Sequence, residues 1–220
     1  MSTNNLGQLL KAKGDLAAAE PLFREALEVQ RETLGSRHPS TLASINNLGV
    51  LLQTKGDLAA AGPLLREAVE VQRETLGSRH PSTLLSIGNL GRLMYAKGDL
   101  AATEPLYREA LEVQRETRGN WHPSTLDSIH NLGALLVEKG KYEEAEPLCS
   151  EVLQAWRETL GNWHPNTLIA YRLYWLLPFK LAEKLYGPPL RWLCGARRFA
   201  VGTLVRLFGR RRASVAPAVD

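Results

Sequence analysis

One phrase recurs in this chain every 42 residues, and this period constrains the fold more than any other feature of the sequence. The segment GSRHPSTLASINNLG begins at Gly35, and closely similar segments begin at Gly77, Gly119 and Gly161. The fourth copy departs from the others after its first half. A fixed period of this length is typical of proteins in which each unit buries its apolar side against its neighbours. The sequence therefore predicts a stacked array of repeats.

Each repeat contains the signals for two helices joined by a tight turn. Pro39 favours a helix start, with His38 or Ser40 as the capping residue. Gly56 is placed to end this helix, and Asp57 can cap the second one. Neither helix can bury its apolar face alone, so successive pairs are expected to stack into one continuous core.

Small residues recur on the faces where the two helices of a repeat would meet. They are Gly49, Gly91 and Gly133 on the first helices, with Ala61 and Ala68 on one of the second helices. We expect them to allow a close approach of the two helices. A large side chain at Gly91 should push the helices apart and cost a few kcal/mol, as overpacking of a core does.

This pattern resembles the tetratricopeptide repeat (TPR). The small and apolar positions of that repeat are matched by Leu48, Gly49, Ala61, Leu65 and Ala68. The 42-residue length, the long second helix and the segment KGKYEEAEPL at residues 139–148 are similar to the kinesin light chain class. The resemblance covers roughly residues 2–168. It implies an all-α, right-handed α-solenoid of helix-turn-helix pairs.

The sequence divides into a repeat array and a tail. The array is predicted to occupy residues 1–168, with helix pairs at about 2–34, 39–76, 81–117 and 123–160 and a capping helix from residue 165. Pro178 is expected to break that last helix after about three turns. Residues 169–220 are predicted to form a basic, aromatic tail that is partly helical, with a disordered end. The irregular ends leave open that the chain is a fragment of a larger TPR-containing regulatory protein, or a truncated gene product.

Charge separates the two regions as well. Residues 1–164 contain 17 basic and 21 acidic side chains, whereas residues 165–220 contain 10 basic and 2 acidic ones. No stretch reaches the ~18 uncharged apolar residues that a membrane-spanning helix needs. The basic tail instead leaves open a membrane-peripheral protein with a weak lipid contact. The triplet Arg210–Arg212 is too weak a signal to predict a nucleic-acid partner.

Cysteine usage and the amino terminus suggest a cytoplasmic protein. Cys149 and Cys194 have neither metal-ligand nor redox-motif spacing, which fits a reducing compartment. Cys149 is expected in the core. Met1 is followed by polar residues without a basic-then-apolar leader, so no secretory signal is expected.

No constellation of catalytic residues is predicted, and we expect no enzyme activity, cofactor or metal. One histidine recurs in each repeat, too far from the next for a shared ion, at His38, His80, His122 and His164. Glu67, Glu70 and Glu74 lie among arginines at the spacing of ion pairs within one helix. Trp121 and Trp163 replace arginines in the loops between repeats and are expected to cover apolar surface there.

The first helices of the repeat class that this chain resembles line a concave groove. An asparagine recurs there at Asn5, Asn47, Asn89 and Asn131, placed either to contact the main chain of an extended peptide or to hold adjacent repeats together. The positions predicted to vary across the groove are Gln8, Lys11, Asn46, Val50, Gln53, Arg92, Tyr95, Asp127, His130 and Val137. Arg92, Tyr95 and Lys11 are the best candidate anchors, and the set suits a peptide with acidic or aromatic side chains.

These observations predict a non-catalytic adaptor that binds a partner protein or an extended peptide in its groove. The resemblance implies a kinesin light chain-like role, and any kinesin or cytoskeletal link comes from that resemblance alone. The motor subunits of that family have a heptad coiled coil before their repeats, and this sequence has none. Peptide binding is therefore expected, and a motor role is not.

Overall fold

The computed structural model describes residues 3–186, with side chains as far as Leu177. The helices of this part of the chain are α1 (Thr3–Ala12), α2 (Leu16–Leu34), α3 (Pro39–Lys55), α4 (Leu58–Leu76), α5 (Pro81–Ala96), α6 (Leu100–Arg118), α7 (Pro123–Glu138), α8 (Tyr142–Leu160) and α9 (Pro165–Tyr186). They belong to two compact units, Met1–Lys139 and Gly140–Asp220. Within residues 3–186 there is no strand, and consecutive helices pack in pairs. The predicted all-α fold of TPR helix pairs is confirmed.

A histidine caps each first helix from α3 onward. The Nδ1 atom of His80 accepts a hydrogen bond from the backbone N–H of Ser82 at 3.1 Å, and a proline occupies the first turn. The same bond is present at His38, His122 and His164. Because Nδ1 is the acceptor, the histidine rather than the following serine is the cap. The recurring histidines therefore have a structural role at the helix start.

The turn between the helices of a pair depends on a glycine in a left-handed conformation. Gly56 has φ of 88° and ends α3, and the Asp57 side chain then accepts the Ala60 N–H at 3.0 Å to start α4. In α9 the corresponding residue, 42 positions after Gly140, is Ala182. Alanine adopts this conformation with difficulty, so the helix has no signal to end there.

The helix α9 consequently runs on to Tyr186, and the prediction that Pro178 would break it was wrong. A proline removes one backbone donor from a helix and does not by itself end it when the flanking residues are held helical. The chain shows this elsewhere, since α2, α4, α6 and α8 each contain an interior proline. The helix also crosses the predicted division between array and tail at residue 168.

The first compact unit shows the predicted close approach between paired helices. A Cβ atom built on Gly49 would lie 2.8 Å from the Leu65 side chain, and one built on Gly91 would lie 2.5 Å from the Tyr107 ring. Leu65 is fully buried and Tyr107 is 5 % exposed. Glycine is therefore required at these two positions because a core side chain occupies the space that a larger residue would need.

Ion pairs join the second helices of successive repeats. Arg31 on α2 contacts Glu67 on α4 at 2.8 Å, and Arg73 on α4 contacts Glu109 on α6 at 2.6 Å. Two further pairs come from the loops, Arg37–Glu74 and Arg79–Glu116. The expectation that Glu67 and Glu74 would pair within their own helix was wrong. Stacking brings an arginine of the preceding repeat within reach of each of them.

Trp121 and Trp163 do not cover apolar surface as expected. Their exposed fractions are 52 % and 72 %. The arginines at the equivalent loop positions, Arg37 and Arg79, are also exposed, with side-chain values of 62 % and 64 %. This loop position therefore faces solvent whether it holds an arginine or a tryptophan.

The second compact unit contains α8 packed against α9. Cys149 is 1 % exposed in its core, as predicted, and burial raises the pKa of its thiol to about 12. The Thr167 hydroxyl donates to the backbone carbonyl of Trp156 at 3.2 Å. None of the helices in residues 3–186 is long and apolar enough to span a membrane. The predictions about residues 187–220, including the basic helix, the Arg210–Arg212 triplet and Cys194, lie outside the described residues.

Candidate binding groove

The groove of the first compact unit is formed by side chains on α1, α3, α5 and α7. The helices α3 and α5 contact each other directly, although they belong to different repeats. Charges on α1, α5 and α7 also influence one another, because Arg92 acts on both Lys11 and Asp127. Predicted groove residues from three repeats therefore share one surface, which we call the groove.

The asparagine positions do not all have the same surroundings. Asn89 is 6 % exposed, and its Nδ2 donates to Oδ1 of Asn46 on the preceding first helix at 3.0 Å. The hydroxyl of Ser86 donates to the same oxygen at 3.3 Å. Asn46 itself is 5 % exposed. Here the amide side chains hold two adjacent repeats together, which is one of the two roles predicted for the recurring asparagine.

The other recurring asparagines are more accessible. Asn47 and Asn131 are half-buried, and Asn5 is exposed. Of the variable positions, Gln8, Val50, Gln53 and Val137 are half-buried. Within the part of the chain that the structure describes, Oε1 of Gln53 is buried without a hydrogen-bond partner. The predicted contact of these residues with a ligand stays a prediction.

Two cations from non-adjacent repeats influence each other electrostatically in the groove. Lys11 on α1 is half-buried, and Arg92 on α5 is exposed. Burial lowers the pKa of Lys11, and the positive charge of Arg92 lowers it further. Both causes disfavour the charged form of the lysine, and a negative group placed between the two cations would relieve the repulsion.

An acidic and a titratable group on α7 border this basic pair. Desolvation raises the pKa of the Asp127 carboxyl, while the charges of His130 and Arg92 oppose that rise. Burial lowers the pKa of His130, and Asp127 partly opposes that shift. The side of the groove nearest α7 is therefore mixed in charge, whereas the side nearest α1 is basic.

Tyr95 bridges two repeats through a residue that sequence reasoning missed. Its hydroxyl donates a short hydrogen bond to Glu138 at the end of α7. This bond, together with burial, raises the pKa of Tyr95 to about 12. The ring remains 40 % exposed, so it can still contact a ligand. Glu138 could have been suspected because the equivalent positions, Thr54 and Ala96, carry no charge.

A cavity of about 210 Å³ lies between α3 and α5, with α4 behind it. Its lining includes Asn46, Asn47, Gln72, Leu85 and Ser86. Leu85 is 60 % exposed, and Gln72 is 3 % exposed. Oε1 of Gln72 has no hydrogen-bond partner among the described residues. Sequence reasoning overlooked Leu85, whose only signal was the change from Ala43 to leucine at the same repeat position.

No metal site is present within residues 3–186. No three histidine, cysteine, aspartate or glutamate side chains in this range are grouped so that they could hold an ion.

Comparison with protein families identifies the repeat. One family model described as tetratricopeptide repeat matches residues 1–70 and 43–116, and a second model of the same description matches residues 125–166. The chain belongs to the tetratricopeptide repeat family. The predicted TPR resemblance is confirmed, and repeats of this family form scaffolds for interaction with other proteins. A search of curated proteins found no significant match.

Solved structures place the repeat among kinesin light chain-like TPR proteins. Two crystal structures show nearly identical TPR-like repeats assigned to a kinesin light chain of Podosopora anserina. One is 29 % identical to this chain, and the other, a variant with one substitution, is 28 % identical. Each has a TM-score of 0.72 and covers 92 % of this chain and 95 % of its own. BtubC (BKLC) from P. vanneervenii has the same fold at 21 % identity and a TM-score of 0.65, covering 74 % of this chain and 65 % of its own.

Proposed function

We propose that this TPR protein is a non-catalytic adaptor that holds an extended, acidic segment of a partner protein in the groove of its first compact unit. The observation that supports this proposal best is that the positive charge of Arg92 on α5 acts on the half-buried Lys11 of α1. Like charges held near one another destabilise the free protein, and a carboxylate bound between them would remove that cost. Two cations from repeats that are not adjacent in the chain thus favour an acidic ligand.

Apolar and aromatic groups near the cations favour a ligand with more than acidic side chains. Tyr95 is 40 % exposed and Leu85 is 60 % exposed. Exposed tyrosine and arginine are the residue types that most often dominate binding energy at interfaces. We therefore expect the bound segment to combine acidic residues with at least one aromatic or large aliphatic side chain.

The remaining predictions complete this proposal. We propose a cytoplasmic location, which the two cysteines without metal-ligand or redox-motif spacing favour. The division into an array at residues 1–168 and a tail at 169–220 is kept as a functional division, although α9 spans it. A connection to kinesin or to the cytoskeleton is proposed only in so far as the similar repeats from Podosopora anserina are assigned to a kinesin light chain.

Peptide selection with the full-length chain tests the proposal. A library of random peptides displayed on phage is selected on the protein, and bound peptides are then measured by fluorescence anisotropy. We expect selected sequences rich in Asp, Glu and aromatic residues. The double variant Lys11→Ala/Arg92→Ala should weaken their binding by at least about tenfold, since each charge-assisted contact contributes on the order of 1.5 kcal/mol or more.

The matched control removes two cations outside the groove. Lys13 and Arg66 are exposed, at the end of the first helix and on α4 respectively. The variant Lys13→Ala/Arg66→Ala has the same net charge as the groove variant and should bind with wild-type affinity. Equal losses for both variants would show that only net charge matters. Selected peptides without acidic residues would contradict the proposed ligand class.

A further inference from the structure

The outer side of the first helix pair exposes apolar residues whose equivalents are buried in the next repeat. Leu6 and Leu9 on α1 are 40 % and 42 % exposed, and Val29 on α2 is also exposed. The leucines 42 residues later, Leu48 and Leu51 on α3, are buried. The difference arises because α3 packs against α2 of the preceding repeat, whereas no second helix precedes α1 within the described residues.

Acidic residues on the same side of α2 lack the partners that their equivalents have. Glu67 and Glu74 on α4 each pair with an arginine of the preceding repeat, at 2.8 Å and 3.0 Å. The residues at the same repeat positions on α2 are Glu25 and Glu32. Neither of them has an ion pair within residues 3–177. Two carboxylates at this end of the stack are therefore free to meet cations.

The end of α1 shows the same situation with the opposite sign. Lys55 and Lys139 directly follow or end their first helices, and each pairs with a glutamate on the preceding second helix. Lys13 is the equivalent residue after α1, and it is exposed and has no ion pair in the described part of the chain. We call the surface formed by these apolar and charged residues the N-face, and it consists of Leu6, Leu9, Lys13, Glu25, Val29 and Glu32.

The N-face differs from the usual end of a repeat array. Terminal repeats normally present a polar outer side, because an uncovered apolar side lowers solubility. The N-face instead has the leucines, the lysine and the glutamates of an internal joint between repeats. Exposed apolar surface rimmed by polar residues usually marks a site of protein contact.

We propose that the N-face docks a basic amphipathic helix of a partner protein. The internal joints define the chemistry of that helix. Towards the following repeat, α2 and the loop after it present one glutamate near the helix start and two arginines at its end, namely Glu20, Arg31 and Arg37. A docked helix with the same order of charges would pair with all three free charges of the N-face. Its apolar side would cover Leu6 and Leu9.

Charge favours a partner helix over two other occupants. A second copy docked through its own N-face would bring Glu25 and Glu32 of both chains into one interface, where like charges repel. An anionic lipid surface attracts basic segments and would repel the same glutamates. A helix that presents two arginines complements these glutamates instead.

A synthetic peptide of residues 16–38 is the probe, because it contains α2 and the charges that α2 presents to the next repeat. A hydrocarbon staple between positions 25 and 29 keeps the peptide helical. These positions belong to the N-face in the chain, so in the peptide they lie away from the docking contacts. The fluorescein-labelled peptide is titrated with the full-length protein, and binding is followed by fluorescence anisotropy.

Charge reversal on both sides tests the pairing. Glu25→Arg/Glu32→Arg in the protein should weaken binding of the peptide by about tenfold, because two attractive pairs become repulsive. Arg31→Glu/Arg37→Glu in the peptide should restore most of this loss against the reversed protein. Such recovery requires that these charges meet, and a general effect on folding would not produce it.

The matched control is Glu70→Arg/Glu112→Arg, which makes the same change in net charge at exposed positions of α4 and α6. It should bind the peptide as the wild type does. Absence of peptide binding to the wild type, or equal losses for the control and the N-face variant, would overturn the proposal. Analytical ultracentrifugation of the protein alone supplies a second measurement. A dimer that Leu6→Ser/Leu9→Ser dissociates would show that a second copy occupies the N-face instead.

Discussion

Replacement of Gly91 by alanine tests the close packing of paired helices with the smallest available change. A Cβ atom at this position would lie 2.5 Å and 2.8 Å from two carbons of the Tyr107 ring. These distances are well below van der Waals contact, so one group must move. Tyr107 is 5 % exposed and is packed in the core, so its ring cannot turn away into solvent.

The expected magnitude combines two opposing effects. Overpacking a core costs about 1–3 kcal/mol, and a contact this short belongs to the upper part of that range. Glycine-to-alanine in a helix gains about 1 kcal/mol through helix propensity. Gly91→Ala should therefore lower the free energy of unfolding by about 1–2 kcal/mol, and Gly91→Leu should lower it further.

Gly88 provides the matched control within the same helix. A Cβ atom at Gly88 meets no atom within 4 Å, so Gly88→Ala should show the propensity gain of about 1 kcal/mol alone. Urea unfolding followed by circular dichroism measures both variants against the wild type. A difference of about 2 kcal/mol or more between them supports the packing argument. Equal stability of Gly91→Ala and Gly88→Ala would refute it.

Three further changes probe the cap, the ion pairs and one tyrosine. Lys55 and Lys139 each pair with a glutamate 35 residues earlier in the chain, and Gly62 is the residue 35 positions before the equivalent Lys97. Gly62→Glu should therefore stabilise the fold by about 1 kcal/mol. Gly62→Gln, which lacks the charge, should raise the melting temperature at low salt by less. His80→Ala should cost about 1 kcal/mol through loss of the helix cap, whereas His80→Asp should retain most of it in urea unfolding. The pKa of Tyr95 is raised from 10.0 to about 12 in the folded chain, so its hydrogen bond contributes fully below pH 10 and is lost as the pH rises toward 12. The stability of Tyr95→Phe should consequently fall less steeply than that of the wild type across this window, and parallel curves would contradict the assignment.

The ends of the helices were largely predictable because they depend on local chemistry. A proline after His80 fixes the first turn, and Gly56 supplies a backbone conformation that other residues rarely adopt. These signals act within a few residues and recur every 42, so the sequence contains them in full. The prediction failed at Pro178 because it gave the proline more weight than the missing glycine at Ala182.

The contacts between repeats were less predictable because they join residues that are about 35–43 apart in sequence. Glu67 has no arginine three or four residues away in its own helix, and stacking supplies Arg31 of the preceding repeat instead. Asn89 and Asn47 occupy the same repeat position. Asn89 links two repeats because its amide reaches Asn46 on the first helix of the preceding repeat. A periodic pattern predicts which residues face a neighbour, and the geometry of the stack decides which atoms meet.

The candidate groove was predictable as a surface and not as a set of contacts. Variation among copies pointed to Arg92, Lys11 and Asp127, and the charge of Arg92 influences the pKa of both Lys11 and Asp127. The role of Glu138 as the partner of Tyr95 and the exposure of Leu85 needed coordinates, because each depends on the distance between two first helices.

Site-specific photo-crosslinking tests the central claim, that the groove of this TPR protein holds an extended partner segment. A benzophenone amino acid is placed at Gly88, where an added Cβ atom meets no atom within 4 Å, or at the exposed Arg66 on α4. The full-length proteins are irradiated with a selected acidic peptide. We expect covalent capture from position 88, reduced by Lys11→Ala/Arg92→Ala, and little capture from position 66. Equal capture from both positions, or capture from position 66 alone, would contradict it.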